Sequence, residues 1–195
     1  MKLLTRCVTP LSSNYHPSED TTSELDASGV IYYQELKRVL IWAVELGIVG
    51  ILLEVSLLNT HLNLPHAVHL QHAYDIFRYL KKYPRRRVFM DLDHLHIDKS
   101  IFKKFDWVDI YINAEESIPL DMMKLRSNLM STHCVVNGNH SVYKVTRRSQ
   151  TGILFFCKKA PVIWKSKRQK GVNISTFGSE FIALKNYMKL IKALR

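Results

Sequence analysis

An apolar run in the first third of the chain limits what this sequence can fold into. Positions 39–58 contain thirteen Leu, Ile and Val residues. On a membrane-insertion scale these contribute about −4 to −8 kcal/mol in total, whereas Glu45 and Glu54 cost about 2.5–3.5 kcal/mol each. The net free energy of membrane insertion is therefore near zero. In addition, Gly47 and Gly50 can divide the run into two helices. The sequence therefore predicts a buried pair of shorter helices, with a membrane span as the alternative.

Helical periodicity continues on both sides of this run. Apolar positions at spacings of three and four predict helices over 32–59 and 64–83. Pro65 suits the start of the second helix and Pro84 its end. Residues 88–91 are apolar enough to form a short strand. The first part of the chain is therefore predicted to be mainly helical.

The character of the sequence changes in the last third. β-prone strings occur at 134–136, 152–157, 161–164 and 172–174. Polar residues separate them, and Asn137–Asn139 has the composition of a turn. The pattern predicts a strand–strand–strand unit after the helices.

A final helix follows, with Ser175 or Thr176 as its N-cap. Basic residues occupy its later turns, where positive charge interacts favourably with the helix dipole. These basic residues are Lys185, Lys189, Lys192 and Arg195. One apolar stripe recurs along the helix at spacings of three and four. Its members are Phe177, Phe181, Leu184, Met188 and Ile191. The predicted fold class is α+β.

Net charge and cysteine content narrow the functional class. There are 28 Lys and Arg against 17 Asp and Glu, which gives a formal charge of +11. Such a surplus favours nucleic acid or an anionic membrane as partner, with a solvated basic surface as the alternative. The three cysteines are far apart, which is typical of a reducing compartment. No apolar N-terminal stretch resembles a signal peptide, so a cytoplasmic or nuclear location is expected.

Three blocks of the sequence resemble the Pol polyprotein of copia-type retrotransposons. Residues 32–47 read YYQELKRVLIWAVELG and are similar to the family's YxxLIG-type block. Residues 58–84 resemble its P-x-x-x-H block and the RYLK-type helix end that follows. Residues 146–194 contain counterparts of the RSxTGY, W-x-SK-x-Q and STxEAEY blocks. The order is the family's order, and the third block is the most specific.

The resemblance implies two domains. Residues 1–125 would correspond to the helical connection at the end of a reverse transcriptase. Residues 130–195 would correspond to the opening β-β-β-α unit of an RNase H domain, cut after its first helix. Such a truncation leaves an unpaired strand edge and an uncovered apolar face.

The resemblance also implies which catalytic groups are missing. RNase H chemistry uses two divalent metal ions held by carboxylates. The family's DAD-type motif falls on Asn137, Gly138 and Asn139, so both acidic positions are amides here. Glu180 matches the second metal ligand, and the third is expected beyond Arg195. Magnesium is the parent family's cofactor, but neutral amides attract it weakly, so no cofactor and no catalysis are expected. Without the resemblance, Glu180 is an ordinary solvated glutamate and both asparagines are turn residues.

Clusters of basic residues are the best candidates for binding an RNA–DNA hybrid, since Lys and Arg neutralise phosphates. Solvated charged faces are the alternative. Trp164 can either stack on a base or pack in the core. The predicted nucleic-acid-binding residues are Lys81, Lys82, Arg85, Arg86, Arg87, Arg147, Arg148, Lys165, Lys167, Arg168 and Lys170.

Two clusters of metal-ligating residue types have simpler explanations. His66, His69 and His72 recur at helix spacing near His61, but a metal site needs a fourth ligand and supporting hydrogen bonds. A second group reads as a polar surface loop. It consists of Asp91, Asp93, His94, His96 and Asp98. No metal site is predicted in either place.

Three functional hypotheses follow from the sequence. The first is an inactive Pol remnant, and the second is a remnant that still binds nucleic acid. The third is an active ribonuclease. Neither a membrane nor a small-molecule substrate is expected as partner, and the oligomeric state is left open.

Overall fold

The computed structural model describes residues 9–11, 16, 19–86, 88–91, 93, 100, 120 and 131–194. Three helices come first: α1 (Ala27–Glu45), α2 (Leu52–Leu58) and α3 (Ala67–Lys82). Three strands and a helix follow: β1 (Thr132–Tyr143), β2 (Arg148–Cys157), β3 (Ala160–Val172) and α4 (Thr176–Leu194). The architecture is mixed α and β, with helices preceding a three-stranded antiparallel sheet. The coarse α+β prediction is confirmed.

The long apolar run forms two helices joined by a sharp turn. The carboxylate of Asp26 caps α1 by accepting a 2.9 Å hydrogen bond from the Gly29 N–H, so the helix begins earlier than predicted. The chain leaves α1 through Gly47, whose φ of 96° is a conformation that glycine adopts without strain. A 3-10 turn then leads into α2. Among the described helices, none is long and apolar enough to cross a membrane.

The three helices enclose one apolar core. Leu40 of α1, Ile51 and Leu58 around α2, and Ile76 of α3 are fully buried there. Tyr33 is also buried, and its hydroxyl donates a 3.0 Å hydrogen bond to the Leu58 carbonyl. Burial of these side chains in the helical core accounts for the apolar run.

The strands pair in the order β1-β2-β3, all antiparallel. Thr151 lies opposite Gly138 on one side and opposite Lys167 on the other. A two-residue turn joins β2 to β3, and Lys158 within it has a φ of 55°. The register between β1 and β2 shifts after Asn139.

Several sequence predictions for the strands are wrong in detail. Asn137–Asn139 lies in the middle of β1, where cross-strand hydrogen bonding outweighs the turn preference of asparagine. Residues 88–91 are not a strand; the Val88 N–H instead donates to the Gly47 carbonyl at 3.1 Å. Residues 173–174 lie outside β3, which ends at Val172.

The apolar stripe of α4 lies mostly on the side away from the sheet. Ser175 caps the helix as expected, accepting a hydrogen bond from the Gly178 N–H at 3.1 Å. The buried positions, however, are Ser179 and Ala183, whereas Phe177 and Phe181 are 77% and 58% exposed. Small residues face the sheet because α4 approaches β1 closely. The larger apolar side chains are left on the outer side.

The helices and the sheet meet through polar contacts as well as apolar ones. The Trp164 indole N–H donates to the Val44 carbonyl at 3.0 Å, and its ring packs against the helical core. Gln150 is buried and donates to the hydroxyls of Ser56 and Ser166 at 2.9 and 2.7 Å. The sheet therefore has α2 on one face and α4 on the other.

Candidate functional site

Gly138 brings the middle of β1 against the start of α4. A Cβ atom at Gly138 would lie 2.6 Å from the carbonyl oxygen of Ser179 and 2.9 Å from the Glu180 nitrogen. The Gly138 N–H donates to the Glu180 carboxylate at 2.9 Å. Residues 42 positions apart in the chain are thereby joined. Only glycine allows this approach.

Asn137 and Asn139 flank this contact but lie on the opposite face of the sheet from α4. They pair with Gly152 and Gln150, and Gln150 contacts α2. Side chains alternate between faces along a strand, so both amides are on the α2 side. There they border a cavity of about 270 Å³ whose other walls include Leu52.

The charge at this contact limits its chemistry. Glu180 is the only acidic residue in positions 131–195. A pair of divalent cations requires several oxygen ligands with negative charge, and asparagine amides supply none. Within the described ranges, no group of three His, Cys, Asp or Glu side chains is arranged to hold a metal ion. The residues present do not fit a two-metal centre, and the Glu180 carboxylate is engaged with a backbone N–H.

A buried amide network supports the same contact from β3. The Gln169 side chain is buried and donates to the Thr151 hydroxyl at 3.0 Å and to the Ser179 carbonyl at 2.9 Å. Its carbonyl accepts from the Asn173 amide at 2.6 Å. The sequence analysis did not single out these residues. A lone glutamine among strand lysines gives no signal of burial until its partners are known.

Positive charge is concentrated in the sheet and α4. Positions 131–195 carry 13 Lys and Arg residues against one acid, whereas positions 1–130 carry 15 against 16. The net charge of +11 therefore comes entirely from the C-terminal third. A surplus that is confined to one part of a fold creates a strong local potential.

A groove between the sheet and α4 collects much of this charge. Its volume is about 480 Å³, and one wall is formed by β2 and β3. The other wall is α4, with Asn186 and Leu190. Five lysines line it: Lys165, Lys167 and Lys170 from β3, and Lys185 and Lys189 from α4. The sequence analysis assigned the two α4 lysines to the helix dipole. Their spacing of four residues, which places them on one helix face, was the available signal.

The other predicted basic residues of the sheet have different surroundings. Arg168 also lines the groove, but its guanidinium packs over the Tyr143 ring at 5.4 Å. Arg147 lies in the β1–β2 turn with a φ of 51°. Arg148 begins β2.

The basic run after α3 is partly used in aromatic packing. The Arg86 guanidinium lies 4.6 Å from the Tyr83 ring centre and donates to the Tyr79 hydroxyl. Lys82 lies over the same Tyr83 ring at 5.4 Å. Lys81 and Arg85 are exposed. Arg87 is outside the described residues.

Two histidines of the predicted cluster lie beside Asp20. The rings of His61 and His69 stack at 4.3 Å, and the His66 backbone N–H donates to His69 Nδ1 at 2.8 Å. Asp20 lies 3.8 and 4.0 Å from His69 and His66. Burial, with the adjacent His69, lowers the pKa of His61 to about 4.

The second group of metal-ligating types is only partly described. Lys159 pairs with Asp91 and Asp93 at 3.4 and 3.8 Å, which fits a surface ion-pair cluster. His94, His96 and Asp98 lie outside the described residues.

Comparison with known proteins gives no relative on which to base an assignment: no protein-family model, no curated protein and no solved structure matches this chain. The contacts and charges of the chain itself therefore carry the functional inference.

Proposed function

We propose that this chain is a catalytically inactive relative of the copia-type Pol segment that spans the end of the reverse transcriptase and the start of RNase H, and that it binds nucleic acid. The observation that carries the binding is the confinement of the whole positive surplus to positions 131–195. Phosphate neutralisation by Lys and Arg is independent of sequence and does not require catalytic acids.

One feature of the fold supports the ancestry. Helices precede three antiparallel strands and a helix, in the order that the family resemblance implies. Of the three positions that match the family's acidic motif, only Gly138 contacts Glu180, while Asn137 and Asn139 lie on the other face of the sheet.

Loss of catalysis follows from the charge at that contact. Glu180 provides one carboxylate, and its hydrogen bond to Gly138 gives it a structural role. Capture of two doubly charged ions by one carboxylate and neutral amides is unfavourable. We infer that the Glu180 side chain now holds α4 on the sheet.

A cleavage assay tests the inactive assignment. An RNA–DNA hybrid is incubated with the chain and with Mg²⁺ or Mn²⁺, beside Glu180→Gln and Glu180→Ala variants. We expect no cleavage above background from any of them. Glu180→Gln retains an acceptor for the Gly138 N–H, so it separates loss of charge from loss of folding. Cleavage by the parent chain that both variants abolish would contradict the proposal.

A salt titration tests the binding. Affinity for the same hybrid is measured at increasing salt without divalent cations. We expect the logarithm of the association constant to fall linearly with the logarithm of salt concentration, with a slope of about −0.9 for each phosphate neutralised. If the chain does not bind the hybrid at low salt, the binding part of the proposal is wrong and only the inactive Pol relative remains. Binding without a salt slope would contradict a phosphate-binding role.

A further inference from the structure

The arrangement of the lysines in the groove between β3 and α4 indicates a more specific ligand than the net charge alone does. We propose that it is the site where one sugar–phosphate strand of a nucleic acid lies, with its phosphates between the strand lysines and the helix lysines. This inference rests on the binding part of the proposed function and deepens it. It assigns the contact to a single backbone and adds Lys185 and Lys189 to the binding residues.

Side chains alternate between the two faces of the sheet along β3, and this places two of its lysines on the α4 side. Lys165 and Lys167 pair with Ile153 and Thr151, and all four line the groove. Gln169, two residues further along β3, donates to Ser179 of α4. Residues at i and i+2 share a face of a strand, so Lys165 and Lys167 project on the α4 side.

The helix supplies the opposite wall. Lys185 and Lys189 are one turn apart on α4 and line the same groove. Lys192 also lies on α4 but is not among the lining residues. Two rows of ammonium groups, one on each wall, suit a chain of evenly spaced anions better than a single small anion.

Within the described part of the chain, no carboxylate forms an ion pair with the lysines of the groove. Glu180, the only acid of the C-terminal third, is bonded to Gly138 and is not part of the lining. An anionic ligand would therefore meet uncompensated positive charge.

The lining indicates which part of a nucleic acid is contacted. Among the described residues, the groove walls contain lysine, arginine, amide, hydroxyl and aliphatic side chains and no aromatic side chain. Stacking of bases on aromatic rings, which holds single-stranded bases in many proteins, has no platform here. A groove of about 480 Å³ can take one sugar–phosphate backbone, either of a single strand or of one strand of a hybrid. The ligand class is therefore a phosphodiester backbone, bound without selection of base sequence.

An anionic membrane is the competing partner, because the outer side of α4 exposes Phe177 and Phe181 beside lysines. Against it, Lys185 and Lys189 face a concave groove with lysines on the opposite wall, and a flat headgroup surface cannot reach both walls. The experiment below includes this alternative as an outcome.

Two double variants with the same loss of charge test the site. Lys185→Gln with Lys189→Gln removes the helix wall of the groove. Arg38→Gln with Lys192→Gln removes two exposed charges, one on α1 and one on α4, that do not line the groove, and serves as the matched control. Binding of a fluorescent oligothymidylate and of a mixed-sequence strand is measured by anisotropy between about 50 and 200 mM salt. Vesicles of phosphatidylserine and phosphatidylcholine are tested in parallel.

We expect the groove variant to bind both oligonucleotides at least about tenfold more weakly than the parent at low salt, and its salt slope to be shallower by about 1.4, near 0.7 per lost phosphate contact. The control variant should stay within about threefold of the parent. An equal loss of affinity in both double variants would overturn the proposed site, because binding would then depend only on the overall charge of the chain. Preference for vesicles over oligonucleotides would overturn it in favour of a membrane surface. Failure of the parent to bind any nucleic acid would instead remove the proposed function.

Discussion

Lys37 shows how far one side chain can depart from its usual environment. It is 1% exposed within the helical core, and its ammonium nitrogen donates to the Val55 carbonyl at 2.7 Å. Burial lowers the pKa of Lys37 to about 7. The Val55 carbonyl also accepts from the Asn59 N–H at the end of α2, so it keeps a partner without the lysine.

Stability should therefore rise with pH because of Lys37. Its pKa in the folded chain lies below the value of 10.5 for an exposed lysine, so between about 7 and 10.5 the unfolded chain binds the extra proton. The free energy of unfolding then increases by about 1.4 kcal/mol per pH unit in that window. Urea unfolding at pH 7, 8 and 9 should show this slope.

The variant Lys37→Met should lose the slope and be more stable at pH 7 by roughly 1–4 kcal/mol, the range found for replacing buried ion pairs by apolar residues. Lys81→Met, at an exposed position of α3, is the control and should keep the slope. A Lys37→Met variant that is less stable than the parent at pH 7 would show that the ammonium–carbonyl contact outweighs the cost of burial.

His61 should affect stability in the same direction as Lys37, but at acid pH. Burial and the adjacent His69 lower its pKa from 6.5 to about 4, so the folded chain favours the neutral imidazole. Stability from this group is present above pH 6.5 and is lost as pH falls towards 4. His61→Phe keeps a ring against His69 and should unfold with a shallower pH dependence in that window. Parallel unfolding curves for parent and variant would contradict the assignment.

At the scale of elements, the contact between β1 and α4 depends on the absence of a side chain. Gly138 approaches the Ser179 backbone so closely that a Cβ atom would meet it at 2.6 Å. Gly152 lies in the adjacent strand, and a Cβ atom there would meet nothing within 4 Å. These two strand glycines therefore have different roles.

Gly138→Ala should push α4 away from the sheet and destabilise the chain by about 1–3 kcal/mol, the usual cost of overpacking. Gly152→Ala should be neutral or slightly stabilising, because alanine loses less chain entropy on folding. Thermal unfolding of both variants measures the difference. Equal melting temperatures would show that the close approach of α4 is not maintained in solution.

Across the whole molecule, apolar surface remains outside the core. Phe177 and Phe181 of α4 are more than half exposed, and Trp42 and Leu46 of α1 are 68% and 69% exposed. Surfaces of this kind promote association when they are contiguous.

Solubility should improve when the exposed stripe of α4 becomes polar. Phe177→Gln with Phe181→Gln should reduce light scattering and change the stability of the chain by less than about 0.5 kcal/mol per site, as is usual for surface positions. Ala183→Gln, on the buried face of the same helix, should lower the melting temperature instead. A similar loss of stability in the two phenylalanine variants would show that the stripe is packed in solution.

Local sequence patterns predicted the elements better than their packing. The Pro65 and Pro84 boundaries, the Ser175 cap and the break at Gly47 depend on backbone preferences of neighbouring residues, so they are readable from the chain. The strand at Asn137–Asn139 was missed because asparagine favours turns locally, and pairing with β2 overrides that preference. Of the lysines that line the groove, Lys165, Lys167 and Lys170 were predicted from the sequence as binding residues, whereas Lys185 and Lys189 were not.

By itself, the sequence determined the order of helices and strands, the apolar core of the first part and the excess of positive charge. Those properties follow from periodicity and composition, which act over a few residues. The tertiary structure decided which face of α4 is buried, that Glu180 holds Gly138, and that lysines from β3 and α4 share one groove. Each of these depends on the distance between segments remote in the chain, and that distance is set by how closely two backbones can pack.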